Sequence, residues 1–141
     1  MVKELSPLDK LHRILDSDPR FPIAAYHAVH KGLEFTLQLK KVQGHVTGQE
    51  LAIGLAGYLR DEYGPFARLV LGGWNVRSTA DFGALVFNLI DAGLMRKQDS
   101  DRLEDFRDVY RFDDAFGPAY DWLVEVRADW GLSAPRKNSS G

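Results

Sequence analysis

Hydrophobic residues recur along much of the chain at the three- and four-residue spacing of amphipathic α-helices. Ser6-Pro7 predicts the start of a first helix, because serine is a favoured N-cap and proline lacks only an N–H that the first turn leaves free. The apolar positions continue to Asp18-Pro19, where this helix should end. Pro22 begins a second helix that stops near Lys40. Its apolar stripe consists of Tyr26, Val29, Leu33 and Leu37.

The third helix has the clearest start in the sequence. Thr47 and Glu50 have the spacing of a capping box, in which each side chain accepts a hydrogen bond from the other residue's backbone N–H. Gly54 and Gly57 lie inside this helix, where each glycine lowers helix stability by about 1 kcal/mol. Their position therefore predicts that another backbone packs closely there. The helix should end at Tyr63-Gly64-Pro65.

Two further helices are delimited by glycines and by a capping residue. A short fourth helix is predicted over residues 66–73, with apolar positions at Phe66, Leu69 and Val70. Ser78 or Thr79 caps a fifth helix, which should end at Gly93. The wide apolar face of this helix consists of Phe82, Leu85, Val86, Leu89 and Ile90.

Beyond the fifth helix the pattern becomes extended and then helical again. Leu94–Lys97 is predicted to be extended, and Val109–Phe112 alternates apolar and polar residues as a short strand does. A last helix should follow from Asp113, with an interruption at Gly117-Pro118. Its apolar positions are Phe116, Tyr120, Leu123 and Val124.

These elements predict a mainly α fold, with a single compact helical domain of five to seven helices over residues 6–130. Residues 131–141 are small and polar and are expected to form a flexible tail. The order is also that of a winged helix-turn-helix with a small β-hairpin near residues 94–112. Its elements would be residues 48–63, 66–73, 79–92, 94–97 and 109–112. Because a small helical bundle has the same order of helices, both architectures stay open.

Composition and charge narrow the class of protein. The chain has 141 residues, a mass of 15.9 kDa and a formal net charge of −2, so no bulk attraction for nucleic acid or an anionic membrane is expected. It has no cysteine, which excludes disulfides, zinc–thiolate sites and thiol nucleophiles. The sequence shows neither a secretory signal nor the roughly 20 apolar residues that span a bilayer. We therefore expect a cytoplasmic protein with no membrane partner.

Histidines are the main candidate residues for metal binding or catalysis. His27 and His30 are three residues apart on the second helix, which can place two imidazoles on one face, and His45 could supply a third nitrogen ligand. The sequence has no HExxH motif, so surface histidines without a metal are the favoured interpretation. No set of catalytic residue types converges, and the chain is therefore not predicted to be an enzyme. We also predict no cofactor.

Basic residues decide whether the winged-helix order implies DNA binding. The helix after the turn normally enters the major groove with Arg, Lys, Asn or Gln aimed at base edges. Here residues 79–92 contain no arginine or lysine and carry Asp81 and Asp91. A basic patch would have to form from residues outside this helix, namely Lys40, Lys41, Arg77, Arg96 and Lys97. The fifth helix is therefore expected to be buried or to contact protein, and nucleic acid is the second choice of partner.

Asn88 interrupts the apolar run of the fifth helix. A polar amide at such a position either contacts a partner or lies buried, where it forms a hydrogen bond to a loop backbone. The residues around Asn88 have core character, so we favour the buried amide.

Several motifs occur together over residues 20–117. They are His45–Leu51, Tyr63-Gly64-Pro65, Trp74, Thr79–Gly83, Val86–Ile90, Asp99, Asp105-Phe106 and Asp113–Phe116. In these motifs the chain resembles the planctomycete and verrucomicrobial conserved hypothetical family of short bacterial proteins. Gly73-Trp74-Asn75 departs from the family pattern, in which glycine more often follows the tryptophan, so the family's turn geometry is not carried over. The resemblance implies a bacterial protein of one domain and assigns no catalytic residue.

Dense apolar helix faces and an aromatic content of 11% favour a non-catalytic protein-interaction or regulatory module. The candidate contact residues are Tyr120, Trp122 and Trp130, because these residue types are enriched at interfaces. The partner would be another protein or a second copy of the chain, and the same aromatics could instead cover the core. Two other classes stay open: a winged-helix-like nucleic-acid-binding regulator, and a histidine-dependent metal-binding protein or enzyme.

Overall fold

The described part of the chain is helical. A computed structural model describes residues 5–40, 46–96 and 102–117. Its α-helices are α1 (Pro7–Ser17), α2 (Ile23–Lys40), α3 (Gly48–Tyr63), α4 (Ala67–Gly73), α5 (Thr79–Asp91) and α6 (Phe112–Ala115), and two 3-10 turns span Gly64–Phe66 and Leu103–Phe106. No residue in the three described ranges belongs to a strand, which confirms the mainly α class. Within these ranges no helix is long and apolar enough to cross a membrane.

The helix starts follow the capping residues in the sequence. The Thr47 hydroxyl accepts a hydrogen bond from the Glu50 N–H at 3.1 Å, and the Glu50 carboxylate accepts one from the Thr47 N–H at 3.0 Å. The capping box predicted for α3 is therefore confirmed. Ser6 and Asp9 form a second box at the start of α1, where the pattern had predicted only the serine.

Helix α5 is largely covered by its neighbours. Its buried residues are Thr79, Phe82, Gly83, Leu85, Val86 and Leu89. Of its 13 residues, Ala80 and Asp91 are the two that are exposed. The start of the helix is held by Asp81, whose carboxylate accepts a hydrogen bond from the Arg77 N–H at 2.8 Å. The helix that would read DNA in a winged-helix protein is thus occupied with packing, as its apolar composition predicted.

Helices α2 and α3 approach each other closely through small residues. Thr36 of α2 is fully buried and lies over Gly54 of α3, so closely that a methyl group added to Gly54 would overlap the Thr36 hydroxyl. Leu55 of α3 lies over Gly32 of α2 in the same way. The Thr36 hydroxyl is satisfied locally, since it donates to the Gly32 carbonyl at 2.7 Å. Close packing at Gly54 is confirmed, and the neighbour is a side chain rather than the backbone.

The β-hairpin predicted near residues 94–112 is wrong for the described residues. Gly93 has a φ of 79°, and the Leu94 N–H donates back to a carbonyl of α5 at 2.9 Å, which makes this segment the C-terminal cap of a helix. In the second predicted strand, the Val109 N–H donates to the Thr79 hydroxyl at 3.2 Å, so a side chain takes the place of a strand partner. The winged-helix interpretation has no wing in the described part of the chain.

The described chain ends at Gly117, shortly after the four-residue helix α6. The Arg60 guanidinium of α3 fixes this end, because its Nη1 donates to the carbonyls of Ala115 at 2.8 Å and Gly117 at 3.2 Å. The predicted continuation of the last helix to Val124 lies outside the described residues. So do the predicted domain boundary at residue 130 and the predicted tail.

Candidate functional site

An apolar groove of about 330 Å³ lies between α1, α2 and α5, and we call it the α1–α2–α5 groove. Its lining residues are Pro7, Leu11, Ile23, Tyr26, His27, His30, Leu89 and Leu94. Ile23 is 36% exposed, and Leu8, one turn before Leu11 on the same side of α1, is 57% exposed. Ile23 thus forms an exposed part of the groove, and Leu8 extends the apolar surface beyond it.

Tyr26 connects the groove to a polar network between the helices. Its ring is buried, which raises the pKa of its hydroxyl. The Asn88 amide donates from Nδ2 to the Tyr26 hydroxyl at 3.1 Å and to the Asp18 carboxylate at 2.9 Å. Asp18 in turn accepts two hydrogen bonds from the Arg20 guanidinium, at 2.8 and 2.7 Å. These bonds from Arg20, with the one from Asn88, hold the pKa of Asp18 well below its usual range.

The prediction for Asn88 is partly corrected by this network. The amide is half-buried and satisfied, but its partners are the side chains of Asp18 and Tyr26 rather than a loop backbone. Sequence alone could not supply these partners, because they stand 70 and 62 residues away along the chain.

Asn88→Ala should lower the free energy of unfolding by about 1–2 kcal/mol, since two hydrogen bonds are lost and the Tyr26 hydroxyl keeps no donor from α5. The pKa of Asp18 should rise in this variant and stay below its usual range, because Arg20 is retained. Chemical denaturation and an NMR titration of Asp18 measure the two effects. Asp91→Ala, at an exposed position of the same helix, is the control and should change stability by less than about 0.5 kcal/mol. An unchanged Asp18 titration would contradict the network.

The candidate metal residues do not form a ligand cluster in the described part of the chain. His27 and His30 are both exposed on α2 and both line the groove. His30 Nε2 lies 4.0 Å from the carboxylate of Glu34. His45 lies outside the described residues, and among those described no three His, Asp or Glu side chains are grouped as metal ligands. His27 and His30 therefore form part of the exposed edge of the groove.

Three of the candidate nucleic-acid residues, Lys40, Arg77 and Arg96, lie in the described part of the chain. Lys40, at the end of α2, forms an ion pair with Glu50 of the α3 capping box. Arg77 precedes α5 and Arg96 follows it, and a helix of 13 residues separates such positions by about 20 Å. Lys41 and Lys97 lie outside the described residues. Arg77 and Arg96 therefore lie at opposite ends of α5.

A second pocket, of about 270 Å³, lies between α2, α3, α5 and the second 3-10 turn. It combines apolar side chains with Arg96, Arg102 and Asp105. Val46, Arg96 and Arg102 directly adjoin the ranges 41–45 and 97–101, which the structure does not describe. The pocket's boundary is consequently incomplete, and it supports no assignment.

The candidate interface aromatics Tyr120, Trp122 and Trp130 lie outside the described residues. Two other large apolar side chains are exposed instead: Phe66 in the first 3-10 turn and Leu69 in α4. The sequence pattern had grouped both with the apolar face of a short helix. In the structure that helix buries Ala67 and Leu71, so its packed face is rotated away from the predicted one.

Comparison with known proteins gives no relative for this chain: no protein-family model, curated protein or solved structure matches it. The resemblance to the planctomycete and verrucomicrobial family therefore stays a prediction, and functional arguments depend on the geometry of the described residues.

Proposed function

We propose that the protein is a non-catalytic protein-interaction module that binds the apolar face of a partner helix in the α1–α2–α5 groove. The observation that carries this proposal is the groove, whose walls come from three helices and are mostly apolar. Grooves of this kind take a helix whose apolar side chains recur at positions i, i+3, i+4 and i+7. The exposed side chains of Leu8 and Ile23 would add contacts at the rim.

The arrangement of polar groups in the groove favours a protein partner over a small molecule, because the described polar groups do not converge on one point. Small-molecule sites usually contain several polar groups that converge on the ligand and fix its orientation. In the described part of this groove, His27 and His30 stand exposed on one wall, and the Tyr26 hydroxyl already accepts a hydrogen bond from Asn88. An apolar helix needs no such convergence, because burial of its side chains supplies the binding free energy.

The cellular setting of this role is part of the same proposal. A cytoplasmic location and a bacterial source follow from the sequence expectations given above. The partner is taken to be another protein, and a second copy of the chain is the competing occupant. Neither the nucleic-acid nor the metal alternative has an observation of similar weight in its favour among the described residues.

Ile23→Lys tests the groove directly. A display library of amphipathic helical peptides of about 15 residues, roughly four turns, would be selected against the intact protein. We expect a selected peptide to bind, and the substitution to raise its Kd about tenfold or more, because the lysine places a charge in the apolar contact. Fluorescence anisotropy measures the Kd, and the imidazole NMR signals of His27 and His30 should shift on binding.

Leu103→Lys is the matched control, since Leu103 is 46% exposed in the second 3-10 turn and does not line the groove. It should leave the Kd unchanged. A selection that yields no binding peptide, or a peptide that binds Ile23→Lys as tightly as the parent protein, would overturn the proposal. Sedimentation of the parent protein as a dimer that Ile23→Lys dissociates would assign the groove to a second copy.

A further inference from the structure

Two histidines form part of an otherwise apolar binding surface. His27 and His30 of α2 both line the α1–α2–α5 groove and are both exposed. The other lining residues are Pro7, Leu11, Ile23, Tyr26, Leu89 and Leu94. None of these carries a charge at neutral pH, since burial raises the pKa of the Tyr26 hydroxyl. An apolar helix in the groove would therefore contact both imidazoles, and histidine is the side chain that ordinarily changes its charge between pH 5 and 8.

The charged groups nearest in sequence to these histidines lie on α2 itself. The Glu34 carboxylate lies 4.0 Å from His30 Nε2 and 3.5 Å from Lys31 Nζ, and all three side chains are about half exposed to water. Among the described residues, no carboxylate forms an ion pair with His27. A positive charge on His27 is therefore stabilised mainly by water, whereas one on His30 is also stabilised by Glu34.

The elements packed against α2 bring no further charge into the groove. The titratable side chains of α1 and of the C-terminal half of α5 all lie outside its lining: Asp9, Lys10, His12, Arg13, Asp16 and Asp91. Helix α3 also packs on α2 but contributes no residue to the groove. No charged group of the lining could therefore take the place of the water that surrounds a protonated His27.

Protonation of the two histidines opposes the docking of an apolar helix. Covering a charged group with apolar side chains removes its water at a large cost in free energy, whereas a neutral imidazole loses much less. An ordinary histidine is mostly protonated below about pH 6. Acidification should therefore weaken the binding of a helix whose docking face is apolar.

We propose that the α1–α2–α5 groove is proton-sensitive: it binds an apolar helix while His27 and His30 are neutral and releases it when they are protonated. This inference rests on the proposed function and states how binding in that groove is regulated. It also specifies the chemistry of the partner. A helix that placed a carboxylate against the histidines would bind more tightly at low pH, so the occupant is a helix with no acidic side chain on its docking face.

A peptide selected near pH 7.5 and free of Asp, Glu and His tests the proposal, because only the protein then titrates near neutral pH. Fluorescence anisotropy measures its Kd for the full chain near pH 7.5 and near pH 5.5, at constant ionic strength. We expect the Kd to rise about fivefold or more on acidification. Carboxylates ordinarily titrate near pH 4, below this range. Circular dichroism at both pH values verifies that the protein stays folded.

His27→Gln combined with His30→Gln should bind the peptide with the same Kd at both pH values, because glutamine gains no proton in this range. His12→Gln is the matched control, since His12 is exposed on α1 outside the groove lining, and it should keep the full pH dependence. An unchanged Kd of the parent protein, or tighter binding at the lower pH, would overturn the proposal. So would a pH dependence that persists in the double variant or disappears in His12→Gln.

This inference and the proposed function fail in different ways. Absence of any binding peptide at the higher pH would overturn the proposed function and this inference with it. A peptide that loses affinity for Ile23→Lys but binds the parent protein equally well at both pH values would overturn this inference alone.

Discussion

Gly54→Ala should lower the free energy of unfolding by about 3 kcal/mol, although alanine is the better helix former. The added methyl group would overlap the Thr36 hydroxyl and would stand 2.8 Å from Thr36 Cβ, in a fully buried contact between α2 and α3. For a chain of this size the corresponding fall in Tm is about 10 °C. Thermal and chemical unfolding followed by circular dichroism measure the effect.

Two further substitutions, one in α4 and one in α2, provide a control and a rescue for Gly54→Ala. Gly72→Ala, in α4, adds its methyl group in open space and should raise stability by up to about 1 kcal/mol. Thr36→Ala combined with Gly54→Ala should be less destabilised than the sum of the two single changes, because the overlap with the hydroxyl disappears. Strict additivity of the two changes, or a Gly54→Ala protein as stable as the parent, would contradict the close contact.

Phe106→Ala should lower the free energy of unfolding by about 4 kcal/mol, the largest loss of stability that we expect from a single side chain. Phe106 is buried in the second 3-10 turn, between α3 and α5. It packs so closely on Gly48 and Gly83 that a methyl group at Gly83 would come within 2.9 Å of its Cβ. Removing the ring would leave a cavity between α3 and α5, which neither of these rigid helices can move to fill. Chemical denaturation measures the loss.

Leu103→Ala in the same turn is the matched control for Phe106→Ala. Leu103 is exposed, so its truncation should change stability by less than about 0.5 kcal/mol. If both substitutions had equally small effects, the second 3-10 turn would not be anchored through Phe106. If both had equally large effects, the loss would arise from the turn's backbone and not from the buried ring.

The sequence predicted the helices well because their limits depend on neighbouring residues. Capping pairs such as Thr47 and Glu50 are local, and the structure contains the predicted bonds. The hairpin prediction failed because the alternation around Val109 has a different origin. There the backbone bonds to the Thr79 hydroxyl, and the Tyr110 hydroxyl donates to the Ala52 carbonyl at 2.6 Å. Contacts with α5 and α3 thus replace the strand pairing that a period of two usually indicates.

The candidate site was much less accessible to prediction. The groove joins residues of α1, α2 and α5, which belong to separate parts of the chain and meet only after folding. His27 and His30 were singled out for metal binding, while their apolar neighbours looked like ordinary core positions. The exposure of Phe66 and Leu69 was missed for another reason. A helix as short as α4 has too few apolar positions to fix which side faces the core.

The paired contacts of α2 and α3 have a consequence for motion. Thr36 of α2 packs on Gly54, and Leu55 of α3 packs on Gly32, so each helix contributes one side chain that packs on a glycine of the other helix. Sliding of one helix along the other by a single turn would drive Leu55 from Gly32 onto positions of α2 that carry a Cβ atom. The two helices should therefore move as one rigid body, and the register between them is locked in both directions. Because α2 is tied to α3 and α5 has six buried residues, we expect the groove to widen by displacement of α1, which buries a single residue, Ile14.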